Sequence, residues 1–73
     1  MTITIAKREY PTEDESIKAN LIYENNQYYI QVVYKNTART TRISAASTEE
    51  AIAKFNKRSR ELVLIRAKQL GMF

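Results

Sequence analysis

The chain has 73 residues and a net charge of +4, and it contains no cysteine, no histidine, one glycine and one proline. This length allows one small domain with one shallow core, which must fold by packing alone because no disulfide can form. The absence of cysteine and histidine excludes thiolate nucleophiles, imidazole bases and the usual zinc sites. We therefore expect a protein that is not an enzyme and that uses no metal and no cofactor.

The positive charge is concentrated in the second half of the sequence. Residues 1–34 carry three basic and five acidic side chains, whereas residues 35–73 carry nine basic and three acidic ones. A basic region of this kind favours an anionic partner, with nucleic acid as the first candidate. No apolar run approaches the roughly 18 residues of a membrane span, and the polar start of the chain is unlike a signal peptide. We expect a cytoplasmic protein with no membrane partner.

The first 16 residues predict a short strand followed by an acidic loop. Residues 2–6 alternate apolar and polar side chains, which is the spacing of a half-buried strand. Residues 10–16 are polar and include the only proline, Pro11, as is typical of a loop. The acidic run at residues 13–15 lacks the spaced ligands of a cation site, so we interpret it as solvated.

The clearest strand pattern lies in residues 17–34. Residues 17–23 and 28–34 are rich in aromatic and β-branched side chains and flank Asn25 and Asn26. Because asparagine tolerates positive φ, these two residues predict a two-residue hairpin turn. The turn sets a register in which Tyr23 faces Tyr28, Leu21 faces Ile30, Ala19 faces Val32 and Ile17 faces Tyr34. Because side chains alternate between the two faces of a sheet, all eight then lie on one face.

A second hairpin is predicted next, with Thr37-Ala38 at its turn. This turn would pair Tyr34 with Thr41 and Val32 with Ile43. Together the two hairpins occupy residues 17–44, and Thr41 and Ile43 lie on the same face of the sheet as the eight paired residues of the first hairpin.

A helix is predicted over residues 47–70. Ser47 can cap its first turn, and Glu50, three residues later, can complete a capping box. Apolar residues then recur at helical spacing as far as Leu70, and Gly71 can end the helix. The predicted core stripe consists of Ala51, Ile52, Phe55, Ser59, Leu62, Val63 and Leu70.

The predicted helix is longer than the strands that it packs on. A continuous helix from Thr48 to Leu70 is about 34 Å long, whereas an eight-residue strand covers about 26 Å. One alternative is that the helix breaks near Arg58-Ser59. The other is that its C-terminal turns contact another chain, which could be a second copy that forms a homodimer. The apolar residues available for such a contact are Leu64, Ile65, Met72 and Phe73.

These elements predict an α+β fold in which a three- or four-stranded antiparallel sheet packs on one C-terminal α-helix, as a single domain of residues 1–73. The outer face of the sheet combines cations for phosphates, amide and guanidinium groups that can read base edges, and a tyrosine that can stack on a base. The predicted nucleic-acid-binding residues are Lys18, Asn20, Tyr29, Gln31, Val33, Lys35, Arg39, Thr40 and Arg42. There are two alternatives to a nucleic-acid-binding role for the outer face. It could be an ordinary solvated face, or Ile22, Tyr29 and Val33 could pack under the N-terminal strand.

Residues 27–57, QYYIQVVYKNTARTTRISAASTEEAIAKFNK, resemble the N-terminal arm-site DNA-binding domains of phage and transposon tyrosine-type integrases. Residues 28–35 match the aromatic middle strand of that family, residues 39–42 its basic strand, and residues 47–51 the start of its helix. The usual Gly-Phe before the helix is Ala45-Ala46 here. The resemblance implies a DNA-binding protein of a phage or mobile element. It implies base contacts by Gln31, Val33, Lys35, Thr40 and Arg42.

The layout of residues 23–50 is also similar to that of small phage anti-CRISPR proteins. This resemblance implies that the partner is a host defence protein or a nucleoprotein complex such as a CRISPR effector. It also implies that the two proteins bind in the host cytoplasm. Exposed apolar side chains would then be the anchors of the contact. The candidate protein-interface residues are Ile22, Leu64, Ile65 and Phe73. A third interpretation is a dimeric structural or antitoxin-like module joined through its helix.

Overall fold

The computed structural model describes residues 1–72, which form four strands followed by one helix. The elements are β1 (Ile3–Tyr10), β2 (Ile17–Glu24), β3 (Gln27–Tyr34), β4 (Thr37–Ile43) and α1 (Thr48–Gln69). The strands form one antiparallel sheet in the order β1-β2-β3-β4, and α1 packs on one of its faces. The predicted α+β fold is therefore confirmed, with four strands in the sheet.

The first hairpin has the predicted turn and register. Asn25 and Asn26 have φ angles of 51° and 62°, the left-handed conformation that a two-residue turn between twisted strands requires. Tyr23 pairs with Tyr28, and their ring centroids are 4.9 Å apart. The pairs Leu21–Ile30 and Ala19–Val32 follow in the same register, so the turn chemistry and the apolar pattern specify the same pairing.

The predicted turn of the second hairpin is wrong. Tyr34 pairs with Thr37 rather than Thr41, and Val32 pairs with Arg39, so the turn lies at residues 35–36. Lys35 has a φ of 53°, an angle that lysine rarely adopts, so Lys35 itself did not indicate a turn, although the adjacent Asn36 is a residue type common in turns. The register differs from the predicted one by four residues. Because four is an even number, each β4 side chain still lies on its predicted face.

The N-terminal strand is longer than predicted and lies in the plane of the sheet. β1 pairs with β2 from Ile3–Tyr23 to Tyr10–Ile17, with a bulge between Thr4 and Ala6. Because β1 forms an edge of the sheet, it does not cover the outer side chains of β2 and β3. The alternative in which Ile22, Tyr29 and Val33 pack under this strand is therefore wrong.

The helix is continuous, so the alternative in which it breaks near Arg58-Ser59 is wrong. The Ser47 side chain accepts a hydrogen bond from the backbone N–H of Glu50 at 3.2 Å. The Glu50 carboxylate accepts one from the N–H of Ala46, one residue before the cap. Gly71, with a φ of 76°, closes the other end in a Schellman motif, where its N–H and that of Met72 donate to the last free carbonyls.

The core lies between α1 and the inner face of the sheet. Its largest fully buried apolar side chains are Phe55 of the helix and Ile17, Leu21 and Ile30 of the central strands. The helix contacts mainly β1, β2 and β3, whereas most of β4 is exposed. The parts of the sheet that α1 leaves uncovered are thus its outer face and the inner side of β4 up to the buried Ile43. No helix in residues 1–72 combines the length and the apolar content that crossing a membrane requires.

Candidate nucleic-acid interface

The outer face of the sheet is an open surface organised as rows of side chains across the strands. Strand alternation places every second residue of each strand on this face, and the antiparallel register aligns them. The central row is Lys7, Asn20, Gln31 and Thr40. The row on one side is Thr4, Ile22, Tyr29 and Arg42, and the row on the other is Glu9, Lys18, Val33 and Ala38.

Seven of the nine predicted nucleic-acid-binding residues therefore lie together on this face. They are Lys18, Asn20, Tyr29, Gln31, Val33, Thr40 and Arg42. β1 adds Lys7 and Glu9, which the sequence analysis did not include because its predicted first strand ended at residue 6. The face carries Lys7, Lys18 and Arg42 as cations, with Glu9 and Glu24 as acids.

Hydrogen bonds between neighbouring side chains orient the polar groups of this face. The Gln27 side-chain oxygen accepts hydrogen bonds from Tyr29 Oη at 3.4 Å and from Arg42 Nη1 at 3.3 Å. Asn20 Nδ2 donates to Gln31 Oε1 at 3.5 Å in the central row. These long bonds leave donors and acceptors for a ligand, because an amide group or a guanidinium can make several hydrogen bonds.

Lys35 lies in the β3–β4 turn and not among the rows of the outer face. Its ammonium forms an ion pair with the Asp14 carboxylate and lies 5.4 Å from the centroid of the Tyr34 ring. The hydrogen bond and the charge of Lys35 lower the pKa of Asp14, and the same contacts raise the pKa of Lys35. The Lys35 ammonium is therefore already paired with a carboxylate of the acidic loop.

Arg39 lies on the opposite side of the sheet, directly across from the buried Val32. It lines a groove between β4 and the C-terminal half of α1, whose wall on the helix includes Leu62, Ile65 and Arg66. The sequence analysis counted Arg39 among the nucleic-acid-binding residues, although strand alternation places it on the same face as Thr41 and Ile43. It therefore faces the helix, away from Arg42.

The predicted protein-interface residues separate into three groups. Leu64 and Ile65 are 46% and 47% exposed on α1, as the helical spacing predicts. Ile22 is only 8% exposed although it lies on the outer face, where Thr4 and Tyr29 are its direct neighbours on the adjacent strands. Little of Ile22 is thus available to a partner. Phe73 lies outside the described residues.

Arg66 is a notable residue that the sequence analysis missed. It is one of the buried residues of α1, and its Nε has no hydrogen-bond partner. The signal was its position, because it falls one turn after Leu62 and Val63 on the stripe that faces the sheet. Arg66 was not included in the predicted core stripe because that stripe was defined mainly by hydrophobic residues.

The acidic residues are dispersed over the fold. Among residues 1–72 no three carboxylates come together in a cluster that could hold a metal ion. Comparison of the chain with protein-family models, with curated proteins and with solved structures found no match.

Proposed function

We propose that this protein binds duplex DNA through the outer face of its sheet. The observation that carries the proposal is the central row of Lys7, Asn20, Gln31 and Thr40, flanked by Lys18 and Arg42 on a face that no other element covers. Amide side chains recognise base edges, and lysine and arginine bind phosphates. The row thus combines both kinds of contact on one surface.

The dimensions of the sheet agree with this proposal. Adjacent strands lie about 4.8 Å apart, so the axes of β2 and β4 are separated by about 10 Å. The major groove of B-DNA is about 12 Å wide, and strands can enter it. With β2 to β4 in the groove, β1 lies toward the backbone, where Lys7 can contact a phosphate.

The test is the binding of random-sequence duplex DNA at several salt concentrations, followed by fluorescence anisotropy. Combining Lys18→Ala with Arg42→Ala should weaken binding at low salt at least tenfold. It should also reduce the magnitude of the slope of log affinity against log salt concentration by about 2, because two phosphate contacts are lost and binding then releases fewer counterions. The matched control is Lys57→Ala with Arg60→Ala, which removes the same charge from the exposed surface of α1.

Two results would contradict the proposal. One is the absence of DNA binding by the unmodified protein at low salt. The other is an equal loss of affinity in the helix control, which would mean that net charge and not the outer face determines binding.

A second candidate function is contact with a protein partner. The observation that favours it is the adjacent exposed pair Leu64 and Ile65, since neighbouring apolar side chains on a helix surface are common anchors of interfaces. For an anti-CRISPR-type inhibitor the partner would be a host CRISPR effector. Capture of such an effector by the unmodified protein, but not by the variant Leu64→Asp with Ile65→Asp, is the expected result. Equal capture by both would contradict this function.

A further inference from the structure

The groove between β4 and α1 lies on the inner side of the sheet, remote from the candidate DNA-binding face. It forms because α1 packs mainly on β1 to β3 and leaves β4 largely uncovered. Its volume is about 260 Å³, slightly below the range of pockets for drug-sized ligands, so it accommodates one or two side chains. The residues that define its chemistry are Val32, Arg39, Leu62, Ile65, Arg66 and Gln69.

Arg66 gives this groove an uncompensated positive charge. The residue is 9% exposed, its Nε has no partner, and its Nη1 makes one long hydrogen bond of 3.4 Å to Gln69 Oε1. A guanidinium keeps its charge in proteins, and burial without a carboxylate partner is unfavourable. The ion pairs found in residues 1–72 join Lys35 to Asp14 and Lys54 to Glu50, so neither involves Arg66.

Arg39 places a second guanidinium in the same groove. No aspartate or glutamate is among the residues that line it, whereas Val32, Leu62 and Ile65 provide apolar walls. The groove is therefore complementary to a carboxylate whose neighbouring side chains are apolar. Arginine is well suited to this role because its planar group can bind a carboxylate through two parallel hydrogen bonds.

The free edge of β4 runs along this groove. β4 is the last strand of the sheet, and in the part of the chain that the structure describes no further strand pairs with it. The opposite edge strand, β1, is interrupted by a bulge and is followed by Pro11, two features that discourage further pairing. β4 has neither feature and can accept an added strand through its main-chain groups.

We propose that this groove binds an extended acidic segment of a partner protein, which adds a strand to β4. An aspartate or glutamate of the segment contacts Arg39 and Arg66, and an adjacent apolar side chain packs on Leu62 and Ile65. A second copy is a poorer occupant, because antiparallel pairing of two β4 strands brings Arg39 and Arg66 of both copies together. This inference rests on the second candidate function, protein binding, and is independent of DNA binding.

The experiment uses the full chain labelled with ¹⁵N and a soluble peptide of alternating valine and glutamate as the probe. A peptide of alternating valine and lysine is the matched control. We expect the glutamate peptide to shift the amide signals of residues 37–43 and the lysine peptide to shift none of them. Raising the salt concentration should weaken binding, because the contact is between opposite charges.

Variants then identify the groove as the binding site. Arg39→Ala changes an exposed residue and should weaken peptide binding at least tenfold, whereas Arg60→Ala on the outside of α1 should have no effect. Arg66→Met removes the charge while keeping most of the volume. It should also abolish peptide binding without lowering the melting temperature, because it removes an unpaired buried charge.

Three outcomes overturn the proposal. The first is equal binding of both peptides, or unchanged peptide binding in Arg39→Ala. The second is a concentration-dependent dimer in sedimentation experiments that Ile65→Asp abolishes, which would assign the groove to a second copy. The third is DNA binding that is lost in Arg39→Ala but kept in the combined Lys18 and Arg42 variant. That result would assign the groove to nucleic acid and would separately contradict the proposed role of the outer face.

Discussion

Lys35 occupies the left-handed position of the β3–β4 turn, with a φ of 53°. A side chain with a Cβ atom is strained in this conformation, and asparagine tolerates it better than lysine does. The compensating contact is the exposed ion pair of Lys35 with Asp14, and exposed ion pairs contribute little to stability. At Lys35 the strain of the turn thus destabilises the fold, whereas the ion pair stabilises it.

We predict that Lys35→Asn raises the melting temperature by a few degrees, because relief of backbone strain exceeds the loss of the ion pair. Thermal unfolding followed by circular dichroism measures this change. The control is Asp14→Asn, which removes the ion pair and leaves the turn unchanged. If Lys35→Asn lowers the melting temperature as much as the control does, the turn is not strained.

A second prediction concerns the carboxylates of Asp14 and Glu50, whose pKa values are both lowered in the folded protein. The hydrogen bond from Lys35 lowers the pKa of Asp14, and the bond from the backbone N–H of Ala46 lowers that of Glu50. A lowered pKa means that the folded state binds fewer protons, so stability is gained above the unfolded pKa of about 4 and is lost below it. The free energy of unfolding should therefore fall as the pH decreases from about 5 to about 2.

Urea unfolding at a series of pH values tests this prediction. The combined variant Asp14→Asn with Glu50→Gln should be less stable at neutral pH and should lose less stability on acidification, since the two groups no longer titrate. An acid dependence as steep as that of the unmodified protein would show that other carboxylates are responsible.

At the scale of elements, β1 contacts α1 through polar side chains in addition to pairing with β2. Tyr10 Oη and Ser59 Oγ are hydrogen-bonded at 3.1 Å, and Ser59 is 1% exposed. Arg8 Nη2 donates to Asn56 Oδ1 at 2.6 Å on the same side of the helix. These contacts add to the pairing with β2 that holds the eight-residue strand β1 in place.

We predict that Tyr10→Phe lowers the free energy of unfolding by about 1 kcal/mol, because it leaves the buried Ser59 hydroxyl without this partner. Tyr23→Phe is the matched control, since the Tyr23 hydroxyl donates to Asn26 at an exposed site. Urea denaturation measures both variants. If adding Ser59→Ala to Tyr10→Phe costs as much as Ser59→Ala alone costs in the unmodified protein, the two hydroxyls are not coupled.

The elements also differ in how far their sequences predicted them. The β2–β3 hairpin was predictable in turn and register because Asn25 and Asn26 favour positive φ and the flanking apolar residues alternate. The second hairpin was predictable in its faces but not in its turn, since no residue type at Lys35 signals a left-handed conformation. The helix was predictable at both ends because Ser47 and Gly71 are characteristic capping residues.

At the scale of the whole molecule, the fold distributes the basic residues of the second half over different surfaces. Arg42 lies on the outer face of the sheet, whereas Arg39 and Arg66 line the groove on its other side. Lys54 is paired with Glu50, and Lys35 with Asp14. The proposed DNA-binding face and the proposed peptide groove therefore carry different cations, and the variants designed to test each should leave the other unaffected.

The sequence by itself determined the α+β fold, the first hairpin, the limits of the helix and the residues of β2 to β4 that share the outer face. These properties follow from local rules, namely side-chain alternation, helical spacing and the conformations that capping and turn residues adopt. The tertiary structure decided that β1 extends the outer face, that Arg39 and Arg66 meet across a groove, and that Ile22 is buried. Those outcomes depend on tertiary contacts, because distant residues become neighbours only in the folded chain. β1 pairs with β2 along the edge of the sheet, and α1 packs on β1 to β3 and leaves most of β4 uncovered.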